Sequence, residues 1–324
     1  MLQIASVTLP FFALVGIGYV AARTRVLPLA AVPGLNVFVL YFALTAMLFQ
    51  VGVRTPVAHL LHPVASTLWL LTGLTVVALG AWPARRAGRS WLEASFGGLI
   101  ASQSNSGFMG LPLLVALLGE AAAAPVATTL LVDLVVIQSV AIMLSHRGAA
   151  GPQGVVGEVV ASARRVASNS LPWAIVGGAV WGALDLPLPD PVADVVSMLA
   201  AAATPVALFT IGAVLARPAM QDTAAGRPRG PAGHGEHVAW LAVLKLAVHP
   251  LLVWGLGRLA VRAGLPLEEG MLTAMTLVAA LPAAANITLL AERFGADGAR
   301  VARVILVSTV LSVVTFMLAA RLLT

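Results

Sequence analysis

The sequence predicts an all-α polytopic membrane protein of ten spans, arranged as a 5+5 inverted repeat. Three observations predict it. Only 10% of the 324 residues are charged while 60% are hydrophobic, and the mean hydropathy is +0.97, too apolar for a soluble fold. Apolar runs of about 20 residues, enough to cross the hydrocarbon core, recur along the chain. Two of these runs, 91–119 and 269–294, are too long for a plain crossing and carry polar, Gly and Pro residues in mid-run. Hydrocarbon tolerates such backbone only where it faces protein or a watery cavity.

The spans fall at 4–22, 32–51, 64–83, 91–119, 122–144, 169–185, 191–216, 238–262, 269–294 and 298–322. The run Ile4 to Ala22 reads as a retained helix, since no basic n-region precedes it and no small-residue cleavage site follows. The longest connections are 145–168, a linker between the halves, and 217–237. The second holds Gly226, Pro228, Gly230 and Pro231 and reads as a flexible loop. Arg23, Arg25, Arg85, Arg86, Arg89, Arg147, Arg164, Arg165, Arg217, Arg227, Arg229, Arg293, Arg300 and Arg303 all lie in or beside odd-numbered loops. Arg54, Arg258, Arg262 and Arg321 lie toward the other face. The positive-inside rule then makes the odd loops cytoplasmic and puts both termini outside. It also accounts for the net charge of +6 without a nucleic-acid partner. With no cysteine, disulfide and thiolate chemistry are excluded.

Spans three to five line up with eight to ten at a nearly constant offset. Five spans per half is odd, so the second half enters with opposite polarity, and residues 1–144 and 169–324 become the two inverted repeats. Paired interruptions in such repeats mark a carrier that holds its solute near the midplane.

The first interruption runs Ser102 to Pro112 and the second Leu281 to Asn286. A mid-membrane break frees the last carbonyls of one half-helix and the first amides of the next, and those amides, at a positive dipole end, suit an anion. Asn105 and Asn286 stand where each second half-helix should start, as N-caps whose amides also donate to a carboxylate. Gly107 and Gly110 let the chain turn; Pro112 and Pro282 each remove an amide donor. The candidate substrate-binding residues are Asn105, Ser104, Ser106, Gly107, Pro282 and Asn286. Pro282 alone would be read as a kink, and Gln103 and Ser104 either line the site or satisfy a freed carbonyl.

The run Asn105-Ser106-Gly107-Phe108-Met109-Gly110-Leu111-Pro112 resembles the helix-four motif of the auxin efflux carrier family, which spans plant PIN carriers and many bacterial members. Thr204 to Gly212, His249-Pro250-Leu251-Leu252, Leu281-Pro282 and Ala291-Glu292-Arg293-Phe294-Gly295 agree with it. The resemblance implies a ten-helix fold similar to bile-acid symporters and sodium/proton antiporters. Spans 1, 2, 6 and 7 would be a scaffold, often dimeric, and 3–5 with 8–10 a mobile bundle working as an elevator in a bacterial plasma membrane. It implies transport of an organic anion such as malate or malonate, with Asn105 contacting the carboxylate. Ser104 replaces the Pro that precedes this Asn in plant carriers, and Ala283 stands where they have Gln, so auxin is not the expected substrate.

Asp133 lies near the centre of span five, the one carboxylate so placed. An intramembrane acid is by default a functional hypothesis: either a proton site or a partner for Lys245 in span eight, and Gln103 joins them as a coupling candidate. His249, one turn beyond Lys245, reads as a hydrogen-bonding group at the Pro250 break more readily than as a proton sensor. Trp69, Trp82, Trp91, Trp173, Trp181 and Trp254 suit interfacial or packing roles. Arg258 and Arg262 suit snorkelling to the outer interface, and Gly16, Gly18, Gly177, Gly178 and Gly182 suit close helix contacts. No cofactor and no metal site is expected. Proton coupling through Asp133, or uniport driven by the membrane potential, is favoured over sodium, for which no acid stands at the break. The rivals are a sodium-coupled bile-acid-type symporter, a membrane-embedded enzyme and a channel. No HExxH motif, nucleophile elbow or second intramembrane acid supports an enzyme.

Overall fold

A computed structural model describes residues 2–55, 62–147, 170–225 and 233–324. Most of the predicted 145–168 linker, and the Gly/Pro-rich centre of the 217–237 loop, lie outside the described residues, as do Arg164, Arg165, Arg227 and Arg229. The described chain is helical, without a strand, and contains seven helices long and apolar enough to cross a membrane.

In chain order the helices are α1 (Leu2–Arg23), α2 (Val32–Arg54), α3 (Pro63–Arg86), α4 (Trp91–Ser102), α5 (Ser106–Leu118) and α6 (Glu120–Ser145). They continue as α7 (Ser170–Ala183), α8 (Asp190–Ala225), α9 (His237–Arg262), α10 (Glu269–Ala280), α11 (Ile287–Phe294) and α12 (Gly298–Leu323). The two interrupted runs of the sequence are thus α4 with α5 and α10 with α11. α4 starts as its sequence suggests, with the Ser90 hydroxyl accepting from the Glu93 backbone amide.

The chain divides into two compact units. The first holds residues 1–62, 106–128 and 170–228, hence α1, α2, α5, the start of α6, α7 and α8. Its main packing is α1 on α8 and α2 on α7, and both contacts depend on missing side chains. A Cβ at Gly212 would collide with the Val15 carbonyl, and one at Gly178 with the Phe49 carbonyl. Gly18 and Gly182 make equally close approaches, whereas Gly16 and Gly177 face open space and carry no helix contact.

The second unit holds residues 63–105, 129–169 and 229–324. Here α3 packs on α4, α4 on the end of α6, and α9 on α10 and α12. Trp69, Phe96 and Phe316 are among its fully buried side chains. Two arginines have specific partners. Arg300, placed in or beside a basic loop, is 2% exposed in the first turn of α12 and donates to the Glu93 carbonyl at 2.6 Å. Arg258, expected to snorkel, holds the Glu269 carboxylate at 2.6 Å, which pairs the two exposed charges.

Four helices carry a widened turn in which the amide bonds five residues back: Ser106–Gly110 opening α5, Asp133–Ile137 in α6, Leu244–Val248 in α9 and Val39–Ala43 in α2. Pro112 and Pro250 lack the amide that the carbonyl four residues earlier would need, which explains the first and third. No proline follows Asp133 closely, and the sequence carries no comparable cause for the second.

Candidate functional site

The two breaks meet within the second unit. α4 stops at Ser102, and Gln103 turns the chain to extended backbone (φ −73°, ψ 126°). α10 stops at Ala280, and Leu281 does the same (φ −64°, ψ 157°). The extended stretches then pair antiparallel, Ser104 opposite Ala283. The Asn105 amide donates to the Pro282 carbonyl at 3.0 Å, and the Ala284 amide donates to the Gln103 carbonyl at 3.1 Å. The pairing is reciprocal: Gln103 corresponds to Pro282, Ser104 to Ala283 and Asn105 to Ala284.

That register revises the sequence reading in two ways. Asn105 and Asn286 do each directly precede a second helix, α5 at Ser106 and α11 at Ile287. Yet Asn286 is not the counterpart of Asn105; Ala284 is, so one strand of the pair brings a carboxamide and the other a methyl. Moreover, the amides expected to await an anion are partly consumed. Those of Asn105 and Ala284 bond across the pair, and that of Ala283 donates to Ser308 Oγ on α12 at 3.2 Å. The carboxamide of Asn105 remains. Asn105 is 5% exposed, and its side chain engages no other described group. Pro282 is more than a kink, since its carbonyl is an acceptor in the pair.

Around this pair stands a polar cluster buried from solvent: Gln103, Ser104, Asp133, Lys245, His249 and Trp69 are each at most 4% exposed. Gln103 Nε2 donates to the Asp133 carbonyl at 3.0 Å, the same oxygen that accepts the Gln138 amide of the widened turn. Gln103 therefore anchors the break to α6. Lys245 Nζ donates to Ser104 Oγ at 2.8 Å and to the Ala279 carbonyl, the last turn of α10, at 2.6 Å. One ammonium thus ties both sides of the pairing together. It makes no direct ion pair with Asp133, whose Oδ1 instead accepts the Trp69 indole N–H at 2.8 Å. The charge of Lys245 and the backbone amide of Ser104 still act on the Asp133 carboxyl.

Sequence reasoning assigned Trp69 an interfacial or packing role; the structure makes it a buried donor to the one mid-span acid. It also gave His249 a hydrogen bond near Pro250. Instead both ring nitrogens lack a partner, and the ring lies against Trp69 with centroids 4.9 Å apart. Asp133 Oδ2 likewise has no hydrogen-bond partner. Buried polar atoms are rarely left so. No periodicity marks Trp69 or Ser308, because their partners lie far away in the chain. Among the described residues, no group of His, Asp and Glu is arranged to hold a metal ion. Ser106 and Gly107 open α5 in the first unit.

A chain of membrane helices with two paired breaks and a buried lysine at their junction has the marks of a transporter. The family described as membrane transport protein matches residues 4–319. The chain belongs to that family. It is the auxin efflux carrier family to which the helix-four motif pointed, and membership places the chain with membrane transporters and not with enzymes. A relative from Rhizobium meliloti (strain 1021), described as "Putative malonate transporter", is 30% identical over 321 residues, covering 97% of this chain and 94% of its own length.

Proposed function

We propose that this transporter is a secondary carrier for a small organic anion, a mono- or dicarboxylate, held at the paired breaks by the Asn105 carboxamide. The observation that carries this reading is a buried residue whose carboxamide has no partner among the described residues, next in the chain to the Ser104 hydroxyl that accepts from the Lys245 ammonium. A carboxylate would accept from that carboxamide, and the Lys245 charge would offset the cost of bringing an anion to membrane depth. The name of the rhizobial relative supports a dicarboxylate such as malonate.

The reciprocal bonds between the two breaks support a 5+5 inverted repeat of ten spans, with α4–α5 and α10–α11 as the fourth and ninth. In this reading spans 1, 2, 6 and 7 are a scaffold, dimerising through its own helices, and 3–5 with 8–10 move as an elevator. Both termini face outward from a bacterial plasma membrane. Coupling runs through a proton at Asp133. A sodium ion would need the oxygens of Ser104 and Ala279, which already accept from Lys245. Ser104 and Asn286 serve the site with a hydroxyl and a carboxamide beside the paired breaks.

The test is uptake into proteoliposomes of a carboxylate panel, with and without pH and sodium gradients. Asn105→Ala removes a hydrogen bond to a charged group, about 1.5–3 kcal/mol, which is roughly 10- to 150-fold in apparent affinity. Asp133→Asn should abolish the response to the pH gradient. A fully active Asn105→Ala protein would refute the assignment.

A further inference from the structure

The first unit holds a cavity of about 490 Å³ that the proposed site does not use. It lies between the C-terminal end of α2 and the turn joining α5 to α6, within the size range of small-molecule sites, about 300–1,000 Å³. Met47, Val51, Leu111 and Val115 form an apolar wall. Gln50, Arg54, Thr55 and Glu120 supply the polar groups.

Arg54 ends α2, where a cation favours the helix dipole. That alone would explain an arginine, but not its surroundings. Arg258, read as lying on the same sparse face, is neutralised by Glu269. Arg54 has no carboxylate within ion-pair distance among the described residues, although Glu120 lines the same cavity. The cavity thus presents one unpaired guanidinium, one unpaired carboxylate, a carboxamide and a hydroxyl above a hydrocarbon wall.

The geometry points to this cavity as a recognition site for a carboxylate solute in its singly charged form, with Arg54 binding the carboxylate and Glu120 selecting against a second one. A guanidinium offers a planar fork that matches a carboxylate. Glu120 in the same space repels a further negative charge, and like-charge juxtaposition is the usual device for rejecting a near relative. A monocarboxylate satisfies Arg54 without bringing a second charge to Glu120, and a dicarboxylate that retains one proton can in addition donate its acid O–H to Glu120. The apolar wall takes the methylene or methyl group between. The inference rests on the carboxylate reading above and adds the ionic form selected.

The experiment measures the KM for propionate and for malonate in proteoliposomes at a pH where malonate is doubly ionised. It compares wild type, Arg54→Gln, Arg54→Lys and Glu120→Gln, each first checked for an unaltered melting temperature in detergent. Arg54→Gln should raise KM for both acids roughly tenfold, with Arg54→Lys in between. Glu120→Gln should lower KM for malonate several-fold and leave propionate unchanged. Unchanged KM values in Arg54→Gln would overturn the site, and a Glu120→Gln effect equal for both acids would overturn the selection. If the wild type takes up no carboxylate, the carrier reading itself fails. If the wild type transports and the variants match it, only this inference does.

Discussion

Lys245 offers the sharpest quantitative test of how the two breaks are held. Its ammonium is fully buried and donates at 2.8 Å to Ser104 Oγ and at 2.6 Å to the Ala279 carbonyl. Lys245→Met keeps the apolar stem and removes both donors. Each hydrogen bond from a charged group is worth about 1.5–3 kcal/mol. Relief from burying the charge offsets part of that sum, while Asp133 is left without its nearby cation, so the net cost is about 3–5 kcal/mol. At roughly 2–4 °C per kcal/mol, thermal unfolding in detergent should fall by about 6 °C or more. Asp133→Asn retains an acceptor for the Trp69 indole, now 2.8 Å from Oδ1, and should cost less. Because the two charges act on each other, the double variant should be more stable than the sum of the singles by about 0.5–3 kcal/mol. Additive costs, or a Lys245→Met protein that melts with the wild type, would refute the view that this lysine clamps the junction as a counter-charge.

Two further tests address the packing around that junction. Ser308→Ala strands the Ala283 amide, which now donates to Ser308 Oγ at 3.2 Å; a loss of about 1–3 kcal/mol should appear as a lower melting temperature, and faster hydrogen exchange at Ala283 should accompany it. Gly178→Leu drives a side chain into the Phe49 carbonyl of α2, so the first unit should lose several kcal/mol and the protein should aggregate on size-exclusion chromatography, whereas Gly177→Leu, with open space around it, should elute normally.

Much of this architecture was legible in the residues because its causes are local. Hydropathy marks the helices, and the clusters Ser102–Pro112 and Leu281–Asn286 mark where two of them stop. Asn105 and Asn286 each stand one residue before a new helix, as the sequence places them. Asp133 and Lys245 stood out for a related reason: a charge inside an apolar run is costly wherever its partner lies.

Partnership is what only the tertiary structure decided. That Lys245 reaches Ser104 and Ala279 but not Asp133, and that Asp133 instead takes Trp69, depends on which faces of α3, α6, α9 and α10 point inward together. The register of the paired breaks makes Ala284, two residues before Asn286, the equivalent of Asn105. A local pattern reports what a segment can form by itself. Hydrogen bonds between distant residues are chosen by packing, where a shift of one position exchanges every partner.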